Sequence, residues 1–286
     1  MTDDLREELL DSWEQAAPGW ARQAERWAEA VAPVTEAMLS AAGLAPGTRV
    51  LELAAGPGDL SRRAAPTVAP TAVLCTDAVR AMVDVARELN EDGGPANIVF
   101  QTARLEWIDL PAATVDVILC RFGLMHAVDP ETALRECRRV LTPGGRLVLA
   151  VQAAAVANRW LTLPLAAAAT LGLGAGAPDT PAQGADGGPG PFALAEPGVL
   201  EELIGAAGFG EISLWEVPFL WCYRDERDWI GEKLDHSPSF AALWRSLDDA
   251  QRSELRRRLR ELASAERGGD GSFSVSGRAV LATARA

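Results

Sequence analysis

The sequence predicts an α/β fold: a seven-stranded, mostly parallel sheet with helical segments inserted as caps. Three observations carry this. Short apolar runs alternate with amphipathic stretches between residues 41 and 152, the pattern of strand–helix–strand units with right-handed crossovers. The run at 115–121, VDVILCR, is almost wholly apolar, as a strand covered on both faces must be. The segments at 1–40, 153–195 and 225–270 have helical character but stand outside the alternation.

Taken in order, Leu5, Leu9, Leu10, Trp13, Trp20, Trp27 and Val31 fall near helical spacing, which predicts one or two helices over 5–40, broken at Pro18-Gly19. A turn at 42–48 precedes a buried strand at 49–54, and a helix starts near 59. Strands are expected at 72–76, 97–102, 115–121 and 146–152, with helices at 78–90 and 132–141, the latter closed by Pro143-Gly144-Gly145. Beyond 153 comes an Ala-rich helical stretch and a Gly/Pro-rich segment, 174–192, read as a mobile loop. A helix at 197–207 ends at Gly208, a strand follows at 210–221, charged helix occupies 225–267, and a last strand runs over 272–283. The whole chain, 1–286, is read as one domain: a core at 41–152 completed by 196–224 and 271–286.

A length of 286 residues with 48% hydrophobic content supports a sizeable core. The net charge of −13 excludes a nucleic-acid backbone and an anionic membrane surface as partners, since both require an excess of Lys and Arg. The N-terminus, MTDDLREELLDSWEQ, lacks the features of a secretory signal, and the apolar stretch 160–177 is interrupted by Pro164 and glycines, so a cytoplasmic location is expected. Cys75, Cys120, Cys137 and Cys222 form no C-x-x-C pair, and no metal site is expected. A small molecule is the expected partner, and a homodimer is compatible with the sequence.

The strongest local signal is VLELAAGPGDL, 50–60, a strand running through a Gly-x-Gly turn into a helix. Gly56 and Gly58 permit a sharp turn and close approach of a ligand, and the helix start offers unpaired N–H groups. Glu52 places a carboxylate beside this cradle, which favours an ammonium and repels a pyrophosphate. Asp77, about twenty residues beyond the glycines at the end of the second strand, is placed to accept ribose hydroxyls. Carboxylates at both places suit S-adenosyl-L-methionine (SAM) and do not suit NAD.

With VLELAAGPGDLS, TDAVRAMVDVAR, VDVILCRFGLMHAVDP and ALRECRRVLTPGGRLVLA in this order, the stretch 44–152 resembles the class I SAM-dependent methyltransferases. It is most similar to the small-molecule branch related to ubiquinone/menaquinone-biosynthesis enzymes. The resemblance implies a Rossmann-like fold, SAM as cofactor, and transfer of a methyl group to O, N or C of an apolar or aromatic small molecule, with a place in secondary metabolism. It also implies residue roles. Ala54, Gly56 and Gly58 would line the cofactor, Glu52 would sit by its amino group, and Asp77 would hold the ribose. Ala78 and Met82 would flank the adenine on one side and Ala103, Arg104 and Leu105 on the other, while Cys120 and Arg121 approach the methionine portion. Arg104 departs from the family pattern, which has an Asp there; Arg cannot accept a hydrogen bond, so a backbone carbonyl or Glu106 takes that role or binding is weakened.

His126, just past the fourth strand at the carboxyl edge of the sheet, is the candidate general base, because an unperturbed imidazole titrates near neutrality. Trp13, Trp20, Tyr223 and His236 are the candidate acceptor contacts, set against a plain packing role for each. Two other readings stay open: the same fold repurposed as a cyclase or decarboxylase, and a SAM-binding partner without catalysis.

Overall fold

The computed structural model describes residues 2–173 and 188–286. Two helices open the chain, α1 (Thr2–Ala30) and α2 (Ala32–Ala42). Strand β1 (Val50–Leu53) leads into α3 (Asp59–Val68), and β2 (Val73–Asp77) into α4 (Arg80–Glu91). Strands β3 (Ile98–Thr102) and β4 (Val115–Arg121) follow, then α5 (Pro130–Val140) and β5 (Leu141–Gln152). After α6 (Arg159–Thr170) come α7 (Val199–Ala206) and β6 (Gly210–Tyr223). Helices α8 (Glu226–His236), α9 (Pro238–Ser246) and α10 (Asp249–Leu262) precede β7 (Phe273–Arg285).

The strands form one sheet in the order β3-β2-β1-β4-β5-β7-β6. The first five are parallel, and β7 is antiparallel to both β5 and β6. Leu51, Leu53, Ile118, Leu119, Leu147 and Val148 on the central strands are fully buried, which is why these runs read as continuously apolar. Between β1 and β4 the direction of winding reverses, and their carboxyl ends open a crevice. The expected Rossmann-like, mostly parallel seven-stranded sheet is the fold of the protein.

The break expected at Pro18-Gly19 does not occur; α1 runs unbroken through both residues. Pro18 is exposed, so its missing N–H leaves no buried acceptor in need. Gly19 has a different purpose from turning the chain. A Cβ there would lie 2.2 Å from the carbonyl oxygen of Asp235, so the bare Cα is what lets α1 and α8 cross backbone to backbone. Polar bonds fix the crossing: the Asp235 carboxylate accepts from Arg22 and from Gln23 at 2.7 Å, and Asp228 accepts from both terminal nitrogens of Arg26 at 3.1 and 3.0 Å. Another face of α1 packs Trp13, Ala17 and Trp20 against Val79 and Met82. This helix therefore spans the crevice from the β2 side to the late helices.

Three other details differ from expectation. Strand β5 starts at Leu141, with an irregular register against β4, where Pro143-Gly144-Gly145 was read as a helix stop. The charged stretch after 225 is three helices, started by the side chains of Asp225, Ser237 and Asp248, each accepting a backbone N–H. The loop expected at 174–192 lies outside the described residues up to 187; within its remainder, Gly190 donates to the carbonyl of Met125 at 2.9 Å. Among the described residues no helix is long and apolar enough to cross a membrane.

Replacing Gly19 by Ala must push α8 away from α1. We expect a loss of about 1–3 kcal/mol in urea unfolding, the usual range for overpacking a close contact. An unchanged midpoint would mean that the two helices are not locked together.

Candidate active site

The glycine turn is held open from one side. Ala54, directly after β1, has φ 51, Gly56 has φ 52 and Gly58 has φ 76, so three of five residues are left-handed. The Asp77 carboxylate accepts the N–H of Gly56 at 2.9 Å with one oxygen and the N–H of Val79 at 3.0 Å with the other. One side chain thus fixes the β1–α3 turn and the β2–α4 corner together. Burial raises the Asp77 pKa, opposed by its bonds to the Val79 and Gly56 amides. The two glycines have separate roles. At Gly56 a Cβ would meet nothing within 4 Å, so its open face belongs to the cavity. At Gly58 a Cβ would lie 3.0 Å from Cβ of Ala86, so it serves the packing of α3 against α4 and does not line the cavity as expected.

Beneath the turn lies a buried charged group. Arg121, at the end of β4, makes a two-pronged pair with Asp59 in the first turn of α3 and donates to Thr35 of α2. Glu52 is 1% exposed, accepts from Ser61, and is pushed up to about 7, chiefly by burial and against the Ser61 bond. Glu52 and Arg121 both reach the cavity wall. The Arg121 guanidinium is committed to Asp59 and Thr35, so what it offers a ligand is a shielded positive field. Cys120 is 1% exposed and lies behind the wall, so the expected approach to a ligand is not made. The reason is Gly123, where a Cβ would collide with Ala54 at 2.4 Å and with the Cys120 sulfur at 2.9 Å.

The cavity continues between Ala78, Val79 and Met82 on one side and Ala103, Arg104 and Leu105 on the other. Met82 both lines this cleft and packs in the core, so the two readings for it are not exclusive. The Arg104 side chain is exposed at the rim. Glu106, the expected substitute acceptor, is engaged by the N–H groups of Val128 and Asp129 at 3.0 and 3.3 Å and by Arg6 at 3.7 Å.

A second, aromatic cavity adjoins the first, and Trp13, Trp20, Trp27, Phe122 and His126 line both. His126 stands edge-on to Trp13, ring centroids 5.1 Å apart. Burial alone pushes its imidazole down to about 4, so the near-neutral pKa expected of it as a general base is not available. Phe122, with φ 59, was missed in the sequence; a bulky residue in a left-handed conformation at a strand end gives no sequence signal. Farther in, Trp160, Gln152, Lys233 and His236 line the wall. Tyr223 does not: it is 1% exposed, stacked at 4.8 Å on Trp229, and donates to Glu232 at 3.1 Å. It supports the cavity from behind, because the alternation along β6 turns it into the core with Phe219 and Trp221. Among the described residues no group of three or more side chains could hold a metal ion.

Comparison with known proteins agrees with this geometry. Residues 50–145 match the family described as "Methyltransferase domain". The ubiquinone/menaquinone biosynthesis C-methyltransferase UbiE of Ectopseudomonas mendocina is 42% identical over 109 residues, 37% of this chain and 43% of that protein. The UbiE of Saccharophagus degradans is 37% identical over 109 residues, 37% of this chain and 44% of that protein. The matched segment thus spans less than half the length of these curated relatives. Among solved structures, the YcgJ protein from Bacillus subtilis superposes with a TM-score of 0.56 at 20% identity, covering 88% of this chain and 97% of that one. The [4+2]-cyclase SpnF gives 0.52 at 21% identity, covering 88% and 79%. The resemblance read from the sequence is therefore matched over residues 50–145, and the whole fold is shared with these solved structures.

Asp59→Asn would leave the Arg121 charge buried without its partner. We expect roughly 3–5 kcal/mol of destabilisation by chemical denaturation, with part regained in the double variant Asp59→Asn/Arg121→Met. A loss under about 1 kcal/mol, typical of exposed pairs, would contradict the buried pairing.

Proposed function

We propose that this protein is a SAM-dependent methyltransferase acting on an apolar, aromatic small molecule. The carrying observation is the shared wall: the cleft beside the glycine turn opens, past Trp13, Trp20, Trp27, Phe122 and His126, into a cavity of aromatic side chains. The residues of the cleft fit SAM. Gly56 offers an open backbone, Asp77 has acceptor capacity beyond its two backbone bonds for ribose hydroxyls, and Glu52 suits the amino group. Glu52 on the cleft wall opposes a pyrophosphate, which argues against NAD.

SAM supplies a methyl group on a positively charged sulfur, and the reaction is an in-line displacement needing alignment and exclusion of water. The tryptophans supply both, holding a flat acceptor by its faces. We assign His126 a place against the reacting groups as a neutral ring that aligns the acceptor; at a pKa near 4 it is a weak proton acceptor. The UbiE relatives are C-methyltransferases of ubiquinone and menaquinone biosynthesis, which makes a quinol-like ring a suitable acceptor, and the aromatic cavity suits it equally. The same cavity suits an aromatic product of secondary metabolism.

Calorimetry with SAM, S-adenosylhomocysteine and NAD tests the reading. Binding of the two sulfur ligands without NAD supports it, and Asp77→Ala should weaken both sulfur ligands at least several-fold. Failure of the wild type to bind either would end it. Binding of SAM with no methyl transfer to any hydroxylated or aminated aromatic would move the fold to non-methylating chemistry.

The raised pKa of Glu52 adds a signed prediction. A bound ammonium favours the ionised carboxylate, so binding near pH 7 releases protons, and SAM affinity should rise between about pH 6 and about pH 8. Heats measured in buffers of different ionisation enthalpy report the proton release, and Glu52→Gln should abolish it. A wild-type affinity indifferent to pH would remove Glu52 from the amino-group site.

A further inference from the structure

A buried carboxyl holds an ammonium only while it is ionised, and the surroundings of Glu52 mostly oppose that state. Glu52 is buried on β1, in register with Cys75 of β2 and Leu119 of β4, so its charge is removed from solvent. Asp59 adds like-charge repulsion from α3. Arg121 of β4 attracts, but both of its terminal nitrogens are spent on Asp59 and Thr35, and among the described residues it makes no ion pair with Glu52. The Cys75 and Cys120 thiols are pushed up by burial, Cys120 to about 12, and stay neutral. Asp77, on the same cleft wall, is taken up by the Gly56 and Val79 amides.

One side-chain contact favours the ionised form directly. The Ser61 hydroxyl donates to Glu52 Oε2, and the Ser61 N–H adds to its effect. A hydroxyl bonded to a carboxylate is about twice as strong as the same bond between neutral groups, so it holds the ionised state over the protonated one. Ser61 is itself fully buried, so bulk water does not compete for this bond. The Cys75 sulfur interacts with the same hydroxyl, but a neutral thiol is a weak acceptor and does not draw the hydrogen from a carboxylate. The position of Ser61 follows from the buried ion pair: Asp59 is the first residue of α3 and Ser61 the third. The hydroxyl occupies one carboxylate oxygen, which leaves acceptor capacity for a ligand on the cleft wall.

We propose that Ser61 is the positioning residue of the cofactor's amino-group site: its hydroxyl holds Glu52 as a carboxylate, turned so that it can receive the ammonium. This rests on the methyltransferase reading and deepens it, by naming the residue that readies Glu52 for the cofactor. Ser61 touches no ligand; it acts through Glu52.

Calorimetry in buffers of different ionisation enthalpy, repeated across pH, compares wild type with Ser61→Ala. Two ligands are used: S-adenosylhomocysteine, and methylthioadenosine, which carries the same base and ribose without the amino group. In wild type, proton release on binding S-adenosylhomocysteine should be half-maximal at about pH 7. Ser61→Ala should raise that midpoint by about one pH unit, about tenfold in the proton affinity of Glu52. Its affinity for S-adenosylhomocysteine should fall about fivefold at pH 7 and recover toward about pH 8.5. Ser61→Cys, close in size and only a weak donor, should move the midpoint the same way by less. Methylthioadenosine should bind wild type and both variants alike. A midpoint unmoved in the variants, or an equal weakening of both ligands, would reduce Ser61 to a packing residue and overturn the proposal. Wild-type binding without proton release would overturn it together with the Glu52 assignment. Failure of the wild type to bind either ligand would instead sink the methyltransferase reading itself.

Discussion

The buried pair between Arg121 and Asp59 is the constraint on which the site depends. It joins the end of β4, the start of α3 and, through Thr35, the middle of α2, at the point where the sheet reverses its winding. Two charges out of water are tolerated only with their hydrogen bonds well made, and here the guanidinium meets both carboxylate oxygens. Because Asp59 is the first residue of α3, the same pair sets where that helix begins and hence where the glycine turn must end. Glu52 sits beside this pair: the Ser61 bond and the Arg121 charge oppose the effect of burial on its pKa, Asp59 adds to it, and burial prevails. The floor of the cleft is therefore rigid, and one of its carboxylates is poised near neutrality.

Above that floor the cap is held by rings. Trp27 lies within 6.2 Å of Trp20, Phe122, Trp160, Trp221 and His236, centroid to centroid. Such pairs contribute about 0.5–1.5 kcal/mol each beyond their burial. They tie α1 to α6, α8 and β6, elements that lie outside the segment 50–145 matched to the methyltransferase-domain family. The same surfaces that hold the cap in place form the apolar walls of the second cavity. Packing of the cap and the shape of the second cavity are thus properties of one set of side chains.

The sheet was legible because its strands are buried on both faces and read as apolar runs, and because glycines mark the first turn. Glu52, Gly56, Asp77 and the Ala103–Leu105 segment line the cleft because they stand at or just after the carboxyl ends of strands, where position along the chain fixes position in space. Cys120 and Gly58 were misplaced for the complementary reason. At a strand end adjacent residues face opposite ways, and spacing does not say which side a neighbour such as Gly123 leaves open. Gly19 was read as a breaker because the close approach of α8 comes from residue 235, far away in the chain. Lys233 and Gln152 were invisible for the same reason, although the Glu232-x-x-x-His236 spacing, one helical turn, carried a usable hint.

The central claim is that cofactor cleft and aromatic cavity are two halves of one site meeting at Trp13 and His126. A crystal structure of the complex with S-adenosylhomocysteine addresses it most directly. The account predicts ribose hydroxyls on Asp77, the amino group over Glu52, and the sulfur facing the wall shared with the aromatic cavity. A ligand whose sulfur points to solvent, or whose ribose lies away from Asp77, would contradict it.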